Sequence, residues 1–295
     1  LSLSDDKKAY RDMAIEAFFA QENGCEIAYQ EVFEDLAKCF SNVLPQGKLY
    51  RYRSNINWKY TKPIIEKNEV YLCPLDKQND PFEFAFNDDF GEIVKQVPQL
   101  KQMSNINDFN KSLFFQDIFD NKCKELMSYK SRMSIACFCE EKDNILLWAH
   151  YANSSRGICI EYSALDLLQC FQCFLLPVVY QRALPTFPLI EEINKLSSFK
   201  MVFEIIATKS EMWSYEKEWR IVRCVEPDDN HCVDFPKPTA IYLGCNSSRN
   251  LENRLLELCV KKRIPLYKLI PDKYSYSFIE EELFIPPKSK GANQQ

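Results

Sequence analysis

At 295 residues, with 46% apolar and 14% aromatic residues, the chain has the material for one large core domain with an appendage. The net charge of −5 and the lack of any long Lys/Arg block argue against a protein that holds duplex nucleic acid mainly through its phosphates. Only 6 glycines are present, and neither a G-x-G-x-x-G nor a G-x-x-x-x-G-K-[ST] occurs, so the Rossmann and P-loop routes to nucleotide binding lack their fingerprints. No apolar run approaches a membrane span, and acids stand near the N-terminus where a secretion signal would carry an apolar segment; the expectation is a cytoplasmic protein with no membrane partner. The 13 cysteines fit reduced, mostly buried thiols. Cys137-x-Cys139 and Cys170-x-x-Cys173 are the close pairs, and neither sits in a turn-like knuckle, so no metal is expected.

In chain order, Asp5 to Phe40 reads as one or two helices, with Ala14, Ala17, Phe18, Val32, Phe33, Leu36 and Phe40 at helical spacing and Asn23-Gly24 as a break. These helices form an N-terminal extension over residues 1–44, a surface open to a partner protein. A core domain then spans 45–285, and 286–295 reads as a disordered tail. Lys48 to Arg53 alternates like a strand, with Leu49, Arg51 and Arg53 on one face and Lys48, Tyr50 and Tyr52 on the other. A short helix over Asn57–Lys67, with Asn57 as a candidate cap and Pro63 near its first turn, leads to a second strand at Glu69–Pro74. Asn79-Asp80-Pro81-Phe82-Glu83 is a polar turn locked by proline. The polar stretch from about Phe90 to Lys130 reads as a largely helical peripheral cover.

Met133–Cys139 is a predicted strand, followed by a short helix over Asp143–Ala152 capped by Asp143 or Asn144. Gly157 breaks the chain before a strand at Ile158–Tyr162, and Leu165–Phe174 is a greasy helix or helix end. Further strands are expected at Leu175–Gln181, Glu218–Val225, Ala240–Leu243 and Leu266–Ile270, with helices at Leu189–Thr208 and Ser247–Lys262. Strands and helices alternate without a βαβ beat. The fold class is therefore α+β, a mixed, mainly antiparallel sheet core flanked by helices.

The stretch Trp213-Ser214-Tyr215-Glu216-Lys217-Glu218-Trp219-Arg220-Ile221-Val222 concentrates charge among large aromatics, which is expensive unless the charges are paired or used. Extended alternation would place Glu216, Glu218 and Arg220 on one side, and Lys217, Trp219 and Ile221 on the other. Such a face is either a salt-bridged strand edge or the polar floor of a site. His150 lies between Trp148 and Tyr151 on a predicted helix; it is a candidate acid or base, or else a structural histidine. His231 follows the acidic loop Pro227–Asn230 and is expected to face solvent. Asn79 and Asp80 belong to an Asx-type turn or rim a pocket. Glu161 is expected to pair with Arg156 or a late-strand arginine in a structural role.

Four blocks recur in a familiar order: Leu49–Arg53, Asn79–Glu83, Trp148–Ala152 with Gly157–Tyr162, and Trp213–Arg220 ahead of Ile241–Cys245. Together they resemble a widespread bacterial family, the domain of unknown function 2971, over roughly residues 48 to 275. A more distant likeness is to the ADP-ribosyltransferase fold: a basic residue on a first strand, a short helix, a second strand, and much later a Glu-x-Glu entering a strand. That resemblance implies that Arg51 or Arg53 orients NAD and that Glu218 holds the ribose. Tyr71 would stand in on the second strand, where Tyr71-Leu72-Cys73-Pro74 replaces the family's Ser-Thr-Ser.

The chemistry suits these residue types. A carboxylate stabilises the oxocarbenium-like state formed as nicotinamide leaves ribose, and it can take a proton from an attacking hydroxyl. A guanidinium grips pyrophosphate with two donors, and an aromatic face stacks on a ring. The candidate set is accordingly Glu218, Glu216 and His150 for catalysis. For NAD, which is substrate rather than resident cofactor, the set is Arg51, Arg53, Tyr71, Asn79, Asp80, Trp148, Tyr151, Trp213 and Arg220. The implied activity is ADP-ribosyl transfer to a protein or nucleic-acid acceptor, or NAD hydrolysis, in the setting of a bacterial toxin or phage-defence effector. Two other readings carry different expectations. One is a non-enzymatic nucleotide sensor or interaction module. The other is a metal-dependent nuclease using Asp80, Glu83, Glu216 and Glu218 as oxygen ligands.

Overall fold

The structure, a computed structural model, describes residues 3–22, 26–54, 58–89, 106–171, 174–186, 198–226 and 228–287. A nine-stranded sheet, antiparallel except for one pair, organises the chain, and helices flank it. The strands that position the site are β1 (Lys48–Arg53), β4 (Met133–Cys139), β5 (Ile158–Ser163) and β9 (Glu218–Cys224). Beyond β5 come β11 (Ala240–Leu243), β12 (Leu266–Pro271) and β13 (Phe278–Phe284); beyond β9 comes β6 (Leu175–Pro177). The β11–β12 pair is parallel, because the helix Arg249–Lys262 carries the chain back across the sheet. Ser248 caps that helix, and its last turn carries Lys261 and Lys262.

The register decides which side chains meet. β1 pairs with β5 along its whole length, Lys48↔Ser163 to Arg53↔Ile158, yet meets β4 at the single pair Tyr50↔Cys139. Where β1 departs, the short β3 (Cys73–Pro74) pairs with β4 instead, at Ile135 and Ser134. β4 and β9 pair throughout, with Cys139↔Glu218 and Cys137↔Arg220. Tyr50, Tyr52, Cys137, Cys139, Glu218 and Arg220 therefore share one face of the sheet, and Arg51, Arg53, Phe138 and Trp219 share the other. Gly157 opens β5 hard against β1: a Cβ there would sit 2.1 Å from the Arg53 carbonyl oxygen, so no side chain fits.

The expected strands at 48–53, 133–139 and 240–243 have those bounds, and the helix after Asp143 runs Ile145–Tyr151 with Asn144 as its cap. The greasy segment after Ser163 is helical over Ala164–Phe171, with Cys170 exposed; Cys173 lies outside the described residues. Elsewhere the chain departs from the pattern. The expected strand 175–181 is two, β6 and β7 (Val179–Gln181): Pro177 cannot donate to a ladder, and β7 turns to run parallel with β8 (Thr208–Ser210). The expected helix 189–208 is described over Ser198–Ile206, and Thr208 opens β8; its first part, like Asn57, Asn23-Gly24, residues 90–105 and the tail from 288, lies outside the described residues. The cover helix is described over Ile106–Lys130, with Phe119 and Leu126 buried. β2 (Glu69–Tyr71) pairs with β10 (Cys232–Asp234), and β10 and β13 lack the β-branched alternation that would announce them.

The two N-terminal helices, Leu3–Glu22 and Glu26–Val43, do not stand apart from the core. Tyr10, Ile15, Phe18, Leu36 and Phe40 are buried in the same apolar cluster as the sheet's reverse face. Tyr10 lies 5.5 Å from Trp219 edge-on and 5.6 Å from Phe40. The Lys7 ammonium pairs with Glu140, whose carboxylate also accepts the Trp219 indole N–H at 2.8 Å. The first helix thus braces the back of β9, the strand whose front carries Glu218 and Arg220.

Candidate functional site

The acidic pair reaches the sheet by a turn rather than by an extended strand. Ser210 caps a 3₁₀ turn over Glu211–Glu216, and Lys217 closes it in the left-handed region at φ 44°. A non-glycine residue there costs about 1 kcal/mol. The conformation is held from two sides. The Lys217 ammonium pairs with Glu141, and the Asn144 amide donates to the Tyr215 carbonyl at 2.9 Å while its oxygen caps the Ile145–Tyr151 helix. Strand geometry begins at Glu218, so Glu216 meets Glu218 through the turn and not through alternation.

Lys209, on β8, lies between the two carboxylates, 2.6 Å from Glu216 Oε2 and 3.2 Å from Glu218 Oε2. Arg220 donates Nε to Glu218 Oε1 at 2.8 Å and both terminal nitrogens to Glu83, at 2.6 and 3.0 Å. Its Nη1 also reaches the Ile206 carbonyl at 2.6 Å. Tyr151 donates to Glu216 Oε1 at 2.6 Å, and the Asn79 amide reaches the Tyr151 oxygen at 3.5 Å. A continuous polar chain thus leads from buried Arg220 to exposed Asn79. It ends in a pocket of about 100 Å³ that is open to solvent, with Tyr50, Tyr52 and Tyr151 among its walls and Glu83, Glu216, Glu218, Lys209 and Arg220 among its lining groups. Three carboxylates against two cations leave the lining acidic.

The two neighbouring carboxyls are pushed in opposite directions. Burial would raise Glu218, but Arg220 and Lys209 outweigh it and hold that group ionised, well below its ordinary value. Burial raises Glu216, against the pull of Lys209 and with the Glu218 charge adding to the rise. Lys209 is raised despite burial, by Glu218 and Glu216, and stays an ammonium. Such a pair divides the labour: Glu218 is a fixed negative charge, and Glu216, bonded to the Tyr151 hydroxyl, is the more readily protonated of the two. Burial raises the Cys137 and Cys139 thiols, so neither is a ready nucleophile.

Opposite shifts give opposite pH dependences. The stability contributed by Glu218 is present above its unfolded value near 4.5 and is lost as pH falls below it. That contributed by Glu216 is complete below 4.5 and declines as pH rises through its raised value. In urea midpoints measured from about pH 3 to 8, Glu218→Gln is expected to converge on wild type toward acid. Glu216→Gln is expected to gain on wild type as pH rises. Parallel curves for the two variants would contradict the opposed shifts.

Of the residues singled out from sequence, Glu216, Glu218, Arg220, Asn79 and Tyr151 line this pocket. Trp213 sits beside it, its ring 4.7 Å from the Lys209 ammonium. Trp148 is fully buried in a second layer, edge-on to Tyr52 at 5.1 Å and donating to the Lys142 carbonyl. Asp80 accepts from the Phe82 amide, forming the expected Asx turn, and is buried outside the lining. His150 is exposed and outside the lining; the helix gives the pocket its neighbour Tyr151. Arg51 and Arg53 lie on the opposite face of β1, because Tyr50 and Tyr52 are the β1 residues turned to the pocket. Tyr71 is exposed and gives its carbonyl to Arg51.

Glu161 bonds Lys48, Thr239 and Tyr242 rather than an arginine, and His231 is half-buried against the Ser134 hydroxyl at 3.0 Å. Among the described residues no three His, Cys, Asp or Glu side chains are grouped to hold a metal. No helix among them is long and apolar enough to cross a membrane.

Sequence reasoning missed Lys209, Tyr50 and Tyr52 as site residues, and named Glu83 only as a metal ligand. The tyrosines stood inside the Leu49–Arg53 motif, and the strand alternation already separated Tyr50 and Tyr52 from the arginines. Lys209 carried no local signal. No curated protein and no solved structure matches the chain. The stretch that supplies Tyr151, Lys209, Glu216, Glu218 and Arg220 is similar to a known family: residues 147–221 match the model of DUF2971, described as a protein of unknown function.

Proposed function

We propose that the chain is an NAD-consuming enzyme. It would cleave the bond between nicotinamide and ribose and pass ADP-ribose to a macromolecular acceptor or to water. The observation that carries this reading is the Glu216/Glu218 pair, one carboxyl held ionised and its neighbour raised, in a tyrosine-walled pocket. The fixed charge of Glu218 suits the cationic ribose of the transition state, and Glu216 with Tyr151 suits removal of a proton from the incoming hydroxyl. Tyr50 and Tyr52 offer faces for a planar ring. The first strand thus contributes aromatic walls, and Arg51 and Arg53, on its other face, lie outside the pocket. Depletion of NAD or modification of a target would fit a bacterial toxin or defence effector acting in the cytoplasm.

Purified protein incubated with NAD is expected to release nicotinamide, with Glu218→Gln slower by about 10²–10³-fold. Folded wild-type protein that releases none, alone or with protein and nucleic-acid acceptors, would overturn the reading. One observation favours a second: the oxygens of Glu218 already accept from Arg220 and Lys209. A pocket so prearranged also suits a non-catalytic nucleotide sensor, in which NAD raises the melting temperature without turnover.

A further inference from the structure

The face of β1 turned away from the pocket carries two arginines without a counter-charge among the described residues. Arg51 is 6% exposed, and its guanidinium carbon lies 5.6 Å from the centre of the Phe138 ring. Its Nη2 donates to the Tyr71 carbonyl at 3.3 Å, and its Nη1 is buried with no acceptor. Tyr162 on β5 packs edge-on against Phe138 at 5.8 Å, and its hydroxyl is also buried with no partner. The pairings Leu49↔Tyr162 and Arg51↔Ile160 put Tyr162 on the same face as Arg51 and Arg53. Arg53 is half-buried and makes no ion pair or side-chain hydrogen bond among the described residues.

The charges felt by this pair are equally one-sided. Burial lowers Arg51, and the groups that offset it are the Cys137 and Cys73 thiols and the Tyr162 phenol, all neutral at physiological pH. Burial, and then Arg51 itself, pull Arg53 down to about 10. No carboxylate of the described residues acts on either. Two neighbouring guanidiniums, one buried and one half-buried, with donors to spare and no carboxylate of the described residues beside them, are costly unless something negative joins them.

We propose that Arg51, Arg53 and the Tyr162 hydroxyl form a binding site for a phosphate-type oxyanion, separated from the acidic pocket by β1. A tetrahedral dianion matches the two charges, and its several oxygens match the forked donors and the phenol better than a single carboxylate does. The half-buried Arg53 marks the solvent side of the site. The inference is independent of the NAD-consuming reading, since none of its residues belongs to that pocket's carboxylate network.

The test is thermal denaturation of the full chain at constant ionic strength, with chloride replaced by inorganic phosphate, pyrophosphate or ADP. A saturable rise is expected, about 3 °C per tenfold of anion beyond its Kd. Inorganic phosphate sufficing would identify a free oxyanion as the ligand, and a rise confined to ADP a nucleotide phosphate. Arg53→Met, at a part-exposed position that tolerates an apolar stem, is expected to abolish the rise, and Arg51→Met likewise if it folds. Glu218→Gln is expected to keep it, whatever its effect on nicotinamide release. No anion-specific rise in wild type, or an equal rise in Arg53→Met, would overturn the proposal.

Discussion

Replacing Arg220 with alanine is expected to destabilise the protein by about 3–5 kcal/mol, the largest single-residue effect at the site. Arg220 is 1% exposed and is the shared partner of Glu83 and Glu218, which are themselves buried. Its removal leaves two carboxylates facing each other in protein interior, with Lys209 touching only one of them, and strips the Ile206 carbonyl of its donor. The cost is that of uncompensated charge, not of one lost hydrogen bond. Replacing Arg220, Glu83 and Glu218 together by neutral residues of similar size is therefore expected to recover most of it. Urea denaturation at neutral pH measures both. A single variant within about 1 kcal/mol of wild type would mean that the network is solvated and contributes little.

Deleting residues 1–44 is expected to abolish cooperative folding. The deletion removes Tyr10, Ile15, Phe18, Leu36 and Phe40 from the common core and uncovers Trp219, which is 0% exposed. Each large buried side chain contributes about 1.5–3 kcal/mol, so their sum rivals the 5–15 kcal/mol by which whole domains are stable, roughly speaking. Near-ultraviolet circular dichroism and a thermal melt of the truncated chain are the measurements. A sharp transition within a few degrees of the intact protein's would make the two helices a detachable appendage after all.

The two cases mark what could be read from the residues alone. β1, β4, β9 and β11 announced themselves through short runs of alternating or β-branched residues, and the crowding of charge near Trp219 pointed to the site because buried charge needs a reason. Parity along β1 was visible too, but which face would meet β9 was not. Both faces of this sheet are covered, so hydrophobicity gives no sign of which one opens. The arginines therefore looked like partners of the glutamates, and the tyrosines beside them hold that place.

Lys209 was hidden for another reason. It follows an apolar helix, and its meaning comes from Glu216 and Glu218 being brought back by a left-handed residue that no propensity favours at a lysine. The N-terminal helices were legible as helices. Their docking behind Trp219 was not, since an amphipathic stripe does not name the surface that it covers.

The lone pairing of Tyr50 with Cys139 has a mechanical consequence. On one side of that rung stand β5 and the strands beyond it, and on the other stand β4, β9 and β6, each group stitched internally by full ladders. The aromatic wall and the acidic wall thus ride on separately rigid halves joined by one stitch of main chain. The width between them is governed by side chains wedged across the seam more than by backbone, and whatever occupies the gap acts as a spacer for both halves.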